Sequence, residues 1–402
     1  MRILVSAGEA SGDLYASRVV EALRARHPDA EFFGCAGPRT QAAGVRAVVD
    51  QRSLAVVGIV EVLSHIPRIY GEFRKLIRAA EREKPDLAIL TDSPDFHLRV
   101  AKKLRARGIP VVYLIAPQVW AWRRHRTRAM RRDLRELLCI FPFEKPFFEK
   151  HGVPVEFIGH PLARIVKPSM TRAEFCARFG IPESSRIVLL LAGSRHGEVR
   201  RHLPYLVDAV KLICKQHPNL EFILALPPGF GPVSHVTGPQ LGANFSERNS
   251  AEAIQHVSGS GGAGIRVIEG HTWDSMAAAE VALAASGTVT VEAMLLGLPM
   301  VTFYRVNELS WILGRWMVKA PFLSMVNLVA GRKIVAELIQ DDMTPESLAA
   351  EASRLLGDTE AQARMRADLA EAANTLRSEH DPMEMAAAYI DRVLENETVH
   401  AG

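Results

Sequence analysis

The chain has 402 residues, of which 48% are apolar and 23% charged, and its formal net charge is +4. That length exceeds one ordinary core and predicts two domains, and the balance excludes a disordered chain. The four cysteines, Cys35, Cys139, Cys176 and Cys214, are far apart and form no Cys-x-x-Cys, which argues against a zinc cluster or disulfide framework and for a reducing cytosol.

The N-terminal "MRILVSAGEASGD" enters a strand pattern directly, without the apolar core and cleavage site of a signal peptide. "RILVSAG", "EFFGCAG", "DLAILTD", "VVYLIAP", "LLCIFPF" and "VEFIGHP" read as buried strands, separated by amphipathic stretches such as "LYASRVVEALRARHP" and "HLRVAKKLRARG". Continuous apolar strands alternating with helices predict a parallel sheet covered on both faces. The pattern restarts near residue 186 with "RIVLLLAGS", "EFILALPP", "GIRVIEG", "VALAASG" and "MVTFYRV". A Gly/Ser-rich stretch at 257–264 reads as a mobile surface loop. Everything after residue 344 reads as helix, and no run of 18 apolar residues predicts a membrane span. The expectation is an α/β protein of two doubly wound domains facing a cleft. The first domain covers 1–165, the second 166–375, and a C-terminal helix over 376–402 packs back toward the first.

In such sheets ligands bind at the carboxyl ends of strands, so the loops there carry the chemistry. "GEASGD" follows the first strand and opens a helix. Its glycines allow close backbone approach, and a helix N-terminus favours an anion. It is neither G-x-G-x-x-G nor a P-loop. "TDSPDF" sets Asp92 and Asp95 at a strand end, where either can accept a proton from a hydroxyl nucleophile. "AGSRHGEVRRH" offers Gly193 and Ser194 as donors and Arg195 as a planar fork for a diphosphate. His196 and His202 lie six apart, which does not suit a zinc-binding helix. "ASGTVTVEAMLLGLP" joins Ser286, Gly287 and Thr288 to a helix start, with Glu292 one turn inside it. Simple helix capping remains the alternative for each of these loops. No Asp-x-Asp occurs, so a metal-held diphosphate is not expected and no metal or cofactor is assigned.

"QVWAWRRHRTRAMRRDLREL" adds Trp120, Trp122 and seven arginines within Gln118–Leu137. A solvated helix face, an anionic membrane surface or a substrate phosphate can each account for it. A single basic stretch without any nucleic-acid motif argues against nucleic acid.

At these residues the chain resembles the lipid-A-disaccharide synthase family of two-domain GT-B glycosyltransferases. The likeness is nearly full-length and runs through "GEASGD", "GCAGPRTQAAG", "VVGIVEVL", "TDSPDFHL", "APQVWAWR", "FPFEKPFFEKHGVPVEFIGHPL", "AGSRHGEV", "ASGTVTVEAML", "PMVTFYR" and "VNLVAGR". It implies transfer of a diacylglucosamine unit from UDP-2,3-diacylglucosamine to 2,3-diacylglucosamine 1-phosphate. Asp92, then Asp95, would be the base. Ser194, Arg195, Ser286, Gly287, Thr288, Glu292 and Asn327 would hold the nucleotide. Gly8, Glu9, Ser11, Gly12 and Asp13 would face the acceptor or the sugar phosphates. Arg123, Arg124, Arg126, Arg128, Arg131 and Arg132 are the membrane-contact candidates, for a peripheral protein on the inner face of the inner membrane. A homodimer is left open. The acyl chains need apolar surface, with Leu54–Leu63 and Leu309–Leu323 as candidates and ordinary core as the alternative. Arg164 departs from the acidic residue expected after "GHPLA". The rivals are another GT-B UDP-sugar enzyme, such as an epimerase, and a non-catalytic anionic-lipid-binding protein.

Overall fold

The computed structural model describes residues 1–54, 59–231, 255–258, 264–307, 311 and 320–401. The acyl-chain candidates at 54–63 and 309–323 lie largely outside these residues or outside their described side chains. The chain forms two compact units, Met1–Pro161 with Leu376–Gly402, and Leu162–Thr375.

The first unit is built on a seven-stranded parallel sheet. Its strands are β1 (Arg2–Ala7), β2 (Glu31–Ala36), β3 (Arg46–Asp50), β4 (Leu87–Thr91), β5 (Val111–Leu114), β6 (Glu136–Cys139) and β7 (Val155–Phe157), in spatial order 3-2-1-4-5-6-7. All five residues of β4 and all four of β5 are buried, as their apolar runs require in a sheet covered on both sides. The chain winds one way from β1 and the other way from β4, so the order reverses between these two paired strands. The helix Pro382–Ala401 packs on the first helix, Ala10–Arg26, where Arg26 holds Glu384 and Asp391 at 3.0 Å each.

The second unit repeats the plan with β8 (Arg186–Leu191), β9 (Leu220–Leu226), β10 (Gln255–Ser258), β11 (Gly264–Glu269), β12 (Val281–Ala285), β13 (Met300–Tyr304) and β14 (Ala336–Ile339), in order 10-11-9-8-12-13-14. Among the described residues only β10 is antiparallel, at an edge. The reversal falls between β8 and β12, which pair directly. Val257 and Ser258, expected in a loop, lie in β10; residues 259–263 are outside the described set. Local chemistry starts and stops the helices. Thr171 and Glu174 form a reciprocal capping box, and Gly180 ends that helix in a left-handed conformation. Among the described residues no helix is long and apolar enough to cross a membrane.

Candidate active site

In the first unit, β1 and β4 end side by side, with Ala7 opposite Thr91. This brings "GEASGD" against Asp92. The Gly8 and Glu9 N–H groups donate to the two Asp92 carboxylate oxygens at 2.8 and 3.0 Å. A Cβ at Gly8 would press on Ser93 and Asp92, and one at Gly12 would overlap the Asp92 carboxylate, so both glycines are demanded by its position. Asp92 and Ser93 adopt φ of +54° and +36°, two consecutive side-chain-bearing residues in the left-handed region. The Asp92 carbonyl repays part of this strain by accepting from both the Tyr113 hydroxyl and His97 Nδ1, the latter at 3.0 Å.

That second bond defines the histidine. A carbonyl only accepts, so Nδ1 carries the proton and Nε2 accepts from the Ser6 hydroxyl at 2.7 Å. Burial lowers His97 to about 4, so the ring is neutral near pH 7, and its 3.8 Å approach to the Asp92 carboxylate is no ion pair. Burial acts oppositely on Asp92 itself. It pushes the carboxyl up to about 7 even though the Gly8 and Glu9 amides pull it down.

The remaining acidic residues behave differently. Asp13 is buried and accepts from Gly37 N–H, Arg39 N–H, Thr40 N–H and the Thr40 hydroxyl. Its carboxylate is thereby committed to bracing the "GPRT" turn. Glu9 and Ser11 are exposed. The Asp95 side chain is 65% exposed and bound by Arg123, at 2.8 Å, and by Arg126. Arg123 also lies 4.2 Å above the Trp122 ring. Trp120 is buried, and its indole N–H donates to Glu144 at 3.1 Å. Burial pushes that glutamate to about 8.

The helix Thr127–Asp133 carries the arginine run away from Asp95, back toward the amino end of β6. Arg124, Arg128, Arg131 and Arg132 are exposed, and Arg132 forks onto Asp133 at 2.7 and 2.6 Å. The run thus divides between the two ends of the sheet.

In the second unit the loops after β8 and β12 are neighbours, since Leu191 pairs with Ala284. Arg195 is exposed at 72% of its side chain. The Ser194 and Arg195 N–H groups are already used. Both donate to Glu198, at 3.0 and 3.3 Å, from the first turn of the helix His196–Gln216. Ser286 donates to the Leu323 carbonyl at 2.9 Å, Gly287 precedes the helix Thr288–Leu295, and Thr288 is exposed. Glu292 is half-buried and accepts from the Trp273 indole at 2.9 Å; burial raises its carboxyl.

Asn327 is fully buried and spends its whole amide internally. It donates to the Val335 carbonyl and Glu337 and accepts from the Ile334 and Val335 N–H groups. Glu337 in turn accepts from the Leu323 and Ser324 N–H groups, both at 3.0 Å. Asn327 therefore connects to the Ser286 loop through Glu337 and the segment whose Leu323 carbonyl receives Ser286. Ser6, His97, Tyr113, Glu198, Trp273 and Glu337 were absent from the sequence-based set. All but Glu198 act across elements apart in sequence or inside an apolar pattern that gave them no distinguishing signal. Glu198 stands in the quoted "AGSRHGEVRRH", three residues after Arg195, where a capping-box carboxylate could have been read.

Two doubly wound sheets, each with its loops gathered at a strand-order reversal, give the chain a GT-B-type plan. The fold matches a kitacinnamycin glycosyltransferase with a TM-score of 0.60, at 16% identity and covering 97% of this chain and 98% of that one. It also matches the S. aureus MnaA–UDP co-structure with a TM-score of 0.62, at 12% identity and covering 98% and 97%. The family model for lipid-A-disaccharide synthetase matches residues 3–389. The chain is 54% identical over 399 residues to the lipid-A-disaccharide synthase of Solibacter usitatus, covering 99% of each, and 43% identical over 380 residues to that of Koribacter versatilis, covering 94% of each. The chain belongs to the lipid-A-disaccharide synthetase family and is a glycosyltransferase.

Proposed function

We propose that the protein transfers the 2,3-diacylglucosamine unit of UDP-2,3-diacylglucosamine to the 6-hydroxyl of 2,3-diacylglucosamine 1-phosphate. The products are UDP and the β-1,6 disaccharide 1-phosphate. Besides the family, the observation that carries this reading is Asp92, a half-buried carboxylate at a strand-order reversal, held by the Gly8 and Glu9 amides and pushed up to about 7 by desolvation. A general base works best with a pKa near the working pH.

In this reading Asp92 takes the proton of the acceptor hydroxyl as its oxygen forms the bond to C1 of the donor sugar. The bond from C1 to the diphosphate oxygen breaks on the opposite side, which inverts the anomeric centre. Neutral His97 and Tyr113 hold the Asp92 backbone and take no proton. Asp95 is the weaker base candidate, because Arg123 and Arg126 already neutralise it. The charge appearing on UDP falls to Arg195, Ser194, Ser286, Gly287 and Thr288. Glu292, steadied by Trp273, accepts the ribose hydroxyls. Asn327 positions this side without touching the ligand.

The exposed arginines Arg124, Arg128, Arg131 and Arg132 provide peripheral contact with an anionic membrane surface, at the inner face of the inner membrane where amphiphilic substrates reside. The test is mass spectrometry of the product made from the diacylated UDP-glucosamine and its monophosphate acceptor. A disaccharide monophosphate with release of UDP is expected; epimerised donor without disaccharide would overturn the reading.

A further inference from the structure

A cavity of about 370 Å³ opens in the first unit, lined by Arg105, Gly108, Pro110, Val111, Arg131, Arg132, Leu134, Arg135 and Pro154. Its place in the fold is informative. Val111 begins β5, Arg135 directly precedes β6 and Pro154 directly precedes β7. The cavity therefore sits at the amino ends of these strands, whereas Asp92 follows the carboxyl end of β4. A five-residue strand spans ~15 Å, so a group bound here is out of reach of the proposed chemistry.

Four of the nine lining residues are arginines and none is acidic. Arg105 comes from the last turn of the helix Pro94–Arg105, and Arg131 and Arg132 from the last turn of Thr127–Asp133. The two helix C-termini offset part of this charge through their dipoles. Carboxylates offset a further part. Asp133 takes the Nε and one terminal nitrogen of Arg132, while burial raises the Glu136 carboxyl to about 7 although Arg135 beside it pulls the other way, so Glu136 offsets Arg135 only in part. Arg105 and Arg131 have no carboxylate at ion-pair distance among the described residues. Four cationic side chains gathered around one concave surface repel each other unless an anion joins them, and a guanidinium's planar donor pair matches phosphate oxygens. The volume is that of a small-molecule pocket rather than an ion cradle. Pro110, Val111, Leu134 and Pro154 give it an apolar wall.

We propose that this cavity is a second, non-catalytic site that binds a phosphate group, either free or on the headgroup of a lipid. It goes beyond the transfer reaction and does not depend on the role given to Asp92.

The test is calorimetric titration of the full-length protein with dihexanoyl phosphatidic acid below its micellar concentration and, separately, with inorganic phosphate. Three proteins are compared: wild type, Arg105→Gln with Arg135→Gln, and a surface control of equal charge change, Lys102→Gln with Lys103→Gln. The cavity variant is expected to bind the tighter of the two probes at least about tenfold more weakly, the loss of one or more charge-assisted hydrogen bonds. The control should stay within about twofold of wild type, as surface charges are largely screened. Tighter binding of the phosphatidic acid identifies a headgroup, and equal binding identifies phosphate itself. Limited proteolysis and thermal melting of all three report an intact first unit, to which these substitutions belong. The proposal is overturned if neither probe binds wild type up to about 10 mM, or if the control loses as much affinity as the cavity variant. The outcome leaves the product analysis untouched, so failure here is distinct from failure of the transferase reading.

Discussion

Asp92 and Asp13 look alike in sequence, each a carboxylate in a strand-end loop rich in small residues. The fold separates them by what each accepts. Asp13 receives four donors from one turn, while Asp92 receives two amides in a buried setting that raises it to about 7. Asp92→Asn should lower kcat by ~10²–10⁴ with UDP affinity unchanged, as measured by steady-state rates and UDP titration. In wild type, kcat/KM should rise with pH through an apparent value of about 7 and level off above it. Stability has the opposite trend. The folded-state pKa lies above the unfolded one, so wild type is progressively penalised as pH rises from about 4 to about 7, by at most ~4 kcal/mol. The melting temperature of Asp92→Asn relative to wild type should therefore increase between pH 5 and pH 8; a constant difference would mean that the carboxyl is ionised throughout. On the nucleotide side, Arg195→Ala should weaken UDP by ~1.5–3 kcal/mol. Glu198→Gln should tighten it, because a carboxylate leaves the amides and guanidinium that would meet the diphosphate. Weaker UDP binding in Glu198→Gln, by the same titration, would show that capping of the helix matters more than charge.

Elements were legible in proportion to their burial. Central strands such as β4, β5, β8 and β12 announce themselves as unbroken apolar runs because both sheet faces are covered. The strands that escaped sequence reading, β3, β10 and β14, all stand at sheet edges. β3 has one fully buried residue and β14 none, so half-exposed polar side chains interrupt their patterns. The loops carrying Gly8, Asp92, Ser194 and Ser286 were legible as strand ends that open helices. What fixes their atoms was not. Tyr113 and His97 reach Asp92 from another strand and from inside a helix, and they read as ordinary core residues. Asn327 shows the reverse, since a polar residue in a conspicuous motif proved to be an internal brace. The packing of "GEASGD" makes a sharp prediction for the first loop and helix. Gly12→Ala has no space beside Asp92 and should destabilise the protein by about 1–3 kcal/mol, read from denaturant midpoints, while reducing kcat. A variant of wild-type stability and rate would mean that this loop rearranges freely.

Across the whole molecule, five of the seven arginines that look like one basic block in sequence divide between separate ends of one sheet. Arg123 and Arg126 are tied to Asp95, and Arg131, Arg132 and Arg135 surround the cavity at the far edge. Membrane attraction is then best tested on exposed arginines outside both groups. At about 1 kcal/mol each, Arg124→Ser with Arg128→Ser should weaken binding to anionic vesicles by roughly 30-fold at low salt, measured by co-sedimentation. Turnover of detergent-dispersed substrate should persist. Equal sedimentation of variant and wild type would assign these side chains to solvent.

The first unit is closed by residues from both ends of the chain, with His160 N–H donating to the Leu376 carbonyl at 2.8 Å where the two crossings meet. On the ribosome, the helix Pro382–Ala401 emerges only after all of Leu162–Thr375. The second unit has every strand it needs before the first can dock its last helix. Completion of the first unit must therefore wait for synthesis of the whole second unit, even though its seven strands are made first. A released chain truncated after residue 375 should present a protease-resistant second unit beside a first unit more open to cleavage.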